Sequence, residues 1–155
     1  MTLANNSAQT IARGGLSLAG TFDLKMKYQD VKTMSREEIE QIISWNDLNR
    51  LHFVPIALGL HCDDLHWGIG KCINLAEHPD PTVRGNALLS FGHFARRFHC
   101  AHRKLVEPLL QKGLMDKNPY VRRQAETAAD DIDQFCTWKV DRKKKKSNNP
   151  SQRTG

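Results

Sequence analysis

Asp80-Pro81-Thr82-Val83-Arg84-Gly85-Asn86-Ala87 returns 38 positions later, Pro81 to Pro119, as Asn118-Pro119-Tyr120-Val121-Arg122-Arg123-Gln124-Ala125. Each copy opens on Asp or Asn, whose short side chain accepts from the free amides of a helix's first turn. Proline follows at the first helical position, where its missing N–H costs nothing. Downstream, Val83, Ala87, Phe91, Phe94 and Phe98 step by four, four, three and four, the spacing of one buried helix face. In the second copy Val121, Ala125, Ala128, Ile132 and Phe135 repeat it.

Each of these helices has an amphipathic one before it. Asp63 or Asp64 caps a run with Leu65, Ile69, Cys72, Ile73 and Ala76 on one side, and Leu105, Val106, Leu109, Leu110 and Leu114 form the matching run ahead of Asn118. Further upstream, Ser35-Arg36-Glu37-Glu38 reads as a capping box before Ile39, Ile42 and Ile43, with the hydroxyl and Glu38 satisfying each other's amides. Asn46 or Asp47 starts the next helix through Leu48, Leu51, Val54 and Leu58, which Pro55 should kink or interrupt. No run alternates with period two long enough to make a strand. The expected class is all-α: a short solenoid of about three stacked helical hairpins, because a lone hairpin cannot bury both its faces.

The chain has 155 residues, 39% hydrophobic and 26% charged, with a mean hydropathy of -0.56; that suits one soluble domain and excludes an integral membrane helix. The net charge of +6 comes from one end. Residues 139–155 hold Lys139, Arg142, Lys143, Lys144, Lys145, Lys146 and Arg153 against Asp141 alone; 23 basic residues less these 7 leaves 16, and 17 acidic residues less Asp141 leaves 16. The body is neutral and the tail is basic. The expected division is an irregular N-terminal segment 1–33, a helical domain 34–138, and a disordered polybasic tail 139–155. Residues 1–25 read either as a flexible lead or as an extension upstream of a start at Met26. Four scattered cysteines and an N-terminus without a basic-then-apolar layout point to reduced thiols and a cytoplasmic location.

The two quoted octapeptides resemble the HEAT-repeat family, whose units are helical hairpins of this length. The likeness covers residues 64–136 well, residues 35–60 loosely and the ends not at all. Within that family the chain resembles small bacterial immunity proteins of polymorphic or contact-dependent toxin systems, over the run from Trp67 through His78-Pro79-Asp80 to Asp130-Asp131-Ile132 and Phe135. This resemblance implies a protein that binds and neutralises a cognate toxin domain, a nuclease, by occluding its active site, as a monomer bound one to one.

His61-Cys62-x-x-x-His66 and His99-Cys100-x-His102 carry ligand types but lack the paired spacings of a zinc site, so no metal is expected. Cys72 and Cys136 read as inert core thiols; no orienting group or oxyanion site accompanies Cys62 or Cys100, so no catalytic residue, cofactor or enzymatic activity is expected. Gly68-Ile69-Gly70 matches no phosphate loop and reads as close helix packing. Trp67 and Trp138 read as core, with Trp45 open. The strongest surface feature is acidic: Glu126 and Asp130 share a helix strip, with Asp131 and Asp133 beside them. It reads either as a contact for a basic cleft or as a solvated face neutralised by Arg122, Arg123 or the tail. His93 and Arg97, on a matching outer strip with Asn86, Leu89 and Ser90, are the rim candidates. The alternative function is nucleic-acid binding, by a body resembling HEAT-like DNA glycosylases or through Lys143, Lys144, Lys145 and Lys146.

Overall fold

A computed structural model describes residues 31–142. Residues 1–25 and Lys143–Lys146 lie outside that range. Contacts divide the chain after Lys32, and the helices described below belong to the unit that begins at Thr33.

Among the described residues all regular structure is helical: α1 (Arg36–Trp45), α2 (Leu48–Leu51), α3 (Val54–His61), α4 (Leu65–Leu75), α5 (Pro81–Phe98), α6 (Arg103–Leu114) and α7 (Pro119–Phe135). The chain is all-α. Most caps form where the sequence places them, but Asp47 precedes α2 without a side-chain cap bond. Asp64 accepts from the Trp67 amide at 3.1 Å. Asp80 accepts from Thr82 and Val83 at 2.9 and 3.0 Å, and Asn118 from Tyr120 at 2.8 Å. Only half of the capping box forms: Ser35 accepts from the Glu38 amide at 3.1 Å, while the Glu38 carboxylate takes Arg50 at 2.5 Å. Pro55 does interrupt its helix. Residues 52 and 53 separate α2 from α3, and Pro55 sits in the first turn of α3.

Helices α3, α5 and α7 lie side by side, α5 in the middle; α4 packs on α3 and α5, and α6 on α5 and α7. The core runs through all of them. Val83, Ala87, Phe91 and Phe94 of α5 and Val121, Ala125, Ala128 and Ile132 of α7 are fully buried, as their spacing requires.

Helix α5 is more enclosed than one amphipathic face allows, since Gly85, Asn86, Leu88, Leu89, Ser90, Gly92 and Ala95 are buried too. This corrects the outer strip expected there. Asn86 donates to the His52 carbonyl at 2.8 Å, Ser90 donates to the Pro55 carbonyl at 2.5 Å, and Gly59 of α3 abuts the His93 ring. A helix with neighbours on both flanks has little outside left. On the other flank Gly92 lets α7 close in: a Cβ there would stand 3.0 Å from the Ala128 Cα and 2.9 Å from Asp131 Oδ2. The absence of a side chain sets that crossing distance.

The ordered body also runs past the expected boundary at residue 138. Val140 is buried, and residues 136–142 form a strap across α6 and α7. Its Asp141 amide donates to Glu107 Oε2 at 3.0 Å, and Gln111 donates to the Asp141 carbonyl at 2.8 Å.

Candidate interaction surface

The six residues proposed from sequence for partner contact divide into three environments. Glu126 and Asp130 lie on the solvent side of α7, Asp130 with 71% of its side chain exposed. Asp133 is half-buried beside them. Its carboxylate accepts from the Val140 amide at 2.7 Å and from Arg142 at 2.5 Å. Arg142 also donates to Asp130 at 2.6 Å, so one guanidinium bridges two acids nine and twelve positions back. Burial opposes the charge on Asp133, yet Arg142 and the Val140 amide together hold the carboxyl below its ordinary value.

Asp131 departs from this strip. It is 6% exposed and turned towards α5, where it takes Arg96 at 2.8 Å. One residue rotates the side chain by about 100° around a helix, enough to carry it from the solvent side to the neighbour. Asp131 therefore couples α5 to α7.

The rim candidates are engaged within the fold, His93 half-buried and Arg97 exposed. His93 lies between α3 and α5, and its Nε2 has no hydrogen-bond partner among the described residues. Burial pushes its pKa down to about 4, opposed by Asp131 and reinforced by Arg96 and Arg97. Arg97 donates to the Gly59 and Cys62 carbonyls at 2.9 and 2.8 Å and reaches Asp63 at 3.2 Å. It closes the end of α3 and is held there by backbone acceptors.

The other clusters resolve into packing. The His66 and His102 rings stack with centroids 4.6 Å apart, and no group of three or more metal-ligating side chains occurs among the described residues. Burial pushes the Cys72 thiol up. Gly68 packs against Phe94, but Gly70 has open space around it, so only the first of that glycine pair serves a close contact. Trp67 is half-buried under the Arg36 guanidinium at 4.6 Å, Trp138 lies under Arg103 at 5.5 Å, and Trp45 is 66% exposed.

Two features escaped the sequence reading. One is the strap, whose only signal is Val140 standing alone among charged residues. The other is a chain of contacts along the turns that precede α5 and α7. Arg84 donates Nε and Nη2 to the two Asp116 oxygens at 2.8 and 3.0 Å, and Nη1 to the His78 and Pro79 carbonyls, both at 3.0 Å. The Arg84 pair holds the Asp116 carboxyl below its ordinary value. Upstream, His52 Nε2 stands 3.2 Å from Asp80 Oδ1. Downstream, Arg122 donates Nη1 to the Asp116 and Lys117 carbonyls at 2.7 and 3.0 Å. The signal was present in the repeated Val-Arg of the two octapeptides.

The repeat register also defines the outer side of α7. On α5 the positions against α7 include Gly85, Gly92 and Arg96. Their counterparts 38 positions on are Arg123, Asp130 and Gln134, all exposed. Where α5 carries glycine to admit a neighbour, α7 carries charge. With the fold and this flank in place, no protein-family model, no curated protein and no solved structure matches the chain. Among the described residues no helix is long and apolar enough to cross a membrane.

Proposed function

We propose that this chain is a HEAT-like solenoid of three hairpins that serves as a protein-binding module, and within that class an immunity protein. Its partner would be a cognate toxin domain, a nuclease, held one to one with the active site occluded. The observation that supports this reading is the flank of α7. It is the side on which α5 receives its neighbour, and it carries Glu126 and Asp130 in solvent. An acidic flank at the end of a stack suits the basic cleft of a nuclease, where opposite charge speeds encounter and fixes orientation. His93, Arg97 and Asp131 do not belong to this surface; their part is to hold α3, α5 and α7 together.

The test is to look beside this gene for a reading frame that ends in a toxin domain and to measure binding of that domain. Glu126→Lys and Asp130→Lys are expected to weaken it by about tenfold each at low salt, mainly through slower association. Unchanged affinity in both variants would remove the acidic flank from the interface. A second reading rests on the charge count, since the basic excess of the chain lies in its last residues. On that reading Lys143–Lys146 bind nucleic acid, and removal of residues 143–155 abolishes a salt-dependent affinity.

A further inference from the structure

Arg84 and Arg122 occupy equivalent places and make equivalent backbone contacts. Each donates Nη1 to the two carbonyls five and six positions back: Pro79 and His78 for Arg84, Lys117 and Asp116 for Arg122. These contacts fix the plane of the guanidinium in the same way. The outer edge of Arg84, Nε and Nη2, is then filled by the carboxylate of Asp116, which belongs to the turn before the next long helix. The Nε and Nη2 of Arg122 are bonded by no described residue. Lys117 and Arg123, both exposed, flank it, so this end of the α7 flank is basic where the far end is acidic.

We propose that Arg122 is a carboxylate-binding anchor. Its occupant is an acidic side chain on the turn of a partner protein's helical hairpin, seated on Arg122 as Asp116 is seated on Arg84. Three observations support that occupant. Within this chain, the same edge of the same fork already selects a carboxylate presented from a turn. A guanidinium pinned by backbone acceptors is preorganised for the bidentate geometry, so little freedom is lost on binding. Lys117 and Arg123 place two exposed cations beside it, and the nearby Asp116 carboxylate is already taken by Arg84. A partner that also meets Glu126 and Asp130 therefore carries an acid towards the start of α7 and a base towards its end. The anchor itself does not depend on the acidic half of the flank or on the toxin reading.

The experiment uses the full chain, isotope-labelled so that arginine Nε–H signals are resolved, titrated with a hexaglutamate peptide. The Arg122 signal is expected to shift and saturate while Arg84, whose edge is full, stays still. Arg122→Lys keeps the charge and a donor for the two carbonyls but lacks the fork, and is expected to bind about tenfold more weakly. Lys117→Gln and Arg123→Gln are expected to change the affinity by about twofold or less. A flat titration, equal shifts at Arg84 and Arg122, or an Arg123→Gln loss as large as that of Arg122→Lys would overturn the proposal, the last two by revealing a diffuse basic patch. Because the probe is acidic, failure of Glu126→Lys and Asp130→Lys to affect toxin binding leaves this result standing.

Discussion

At the scale of single residues, His93 is half-buried where α3 covers α5, and its Nε2 has no hydrogen-bond partner among the described residues. The burial has a measurable consequence. The imidazole titrates near 4 in the folded chain and near 6.5 when unfolded, so the unfolded state binds more protons between those values. Stability from this group is intact above about pH 6.5 and falls as pH drops towards 4, by about 3 kcal/mol in all. Asp131, Arg96 and Arg97 are the charges around it and are already counted in that value. Urea unfolding at stepped pH is expected to show this slope, and His93→Gln to flatten it between pH 6.5 and 4. An equally steep slope in the variant would place the titration elsewhere. The carboxyls of Asp116 and Asp133, both held low, add their own loss at more acid pH.

At the scale of elements, the helices were largely legible because their start signals are local. An Asp-Pro or Asn-Pro pair followed by apolar residues at steps of three and four needs no tertiary information. The two caps differ in strength. Asp80 satisfies two amides and stands beside His52, whereas Asn118 satisfies one. Asp80→Ala is expected to cost about 2 kcal/mol and Asn118→Ala about 1 kcal/mol, read as the difference in unfolding free energy by denaturant titration. The reverse order would mean that the His52 contact and the second cap bond add nothing. What the elements could not reveal was their neighbours. Asn86 and Ser90 look like surface residues on a helical wheel, and their burial is tolerable because neighbours satisfy them: the His52 and Pro55 carbonyls accept from them, and Tyr120 donates to Asn86. The acidic strip was legible as a run of charges but not as three environments, since Asp131 is assigned by the helix that packs on it.

At the scale of the whole molecule, the strap ties the end of the described chain to α6 and α7. A chain ending at Arg142 is expected to melt as the full chain does. One ending at Trp138 loses the Val140 burial and the Asp133, Glu107 and Gln111 contacts, at a cost of about 2 kcal/mol; equal melting temperatures for the two would show that the strap contributes no stability. Enclosure of α5 has a consequence in time as well as in energy. Its amides are shielded by helices on both flanks and by α4 and α6, so they meet water only when those helices part together. In deuterium labelling α5 is expected to form the slowest-exchanging class, at the rate of global opening. α1 and α2, whose Trp45 and Leu48 face solvent, are expected to exchange far sooner. On that expectation the unit that begins at Thr33 has a direction in which it comes apart, fraying from α1 and releasing its central helix last.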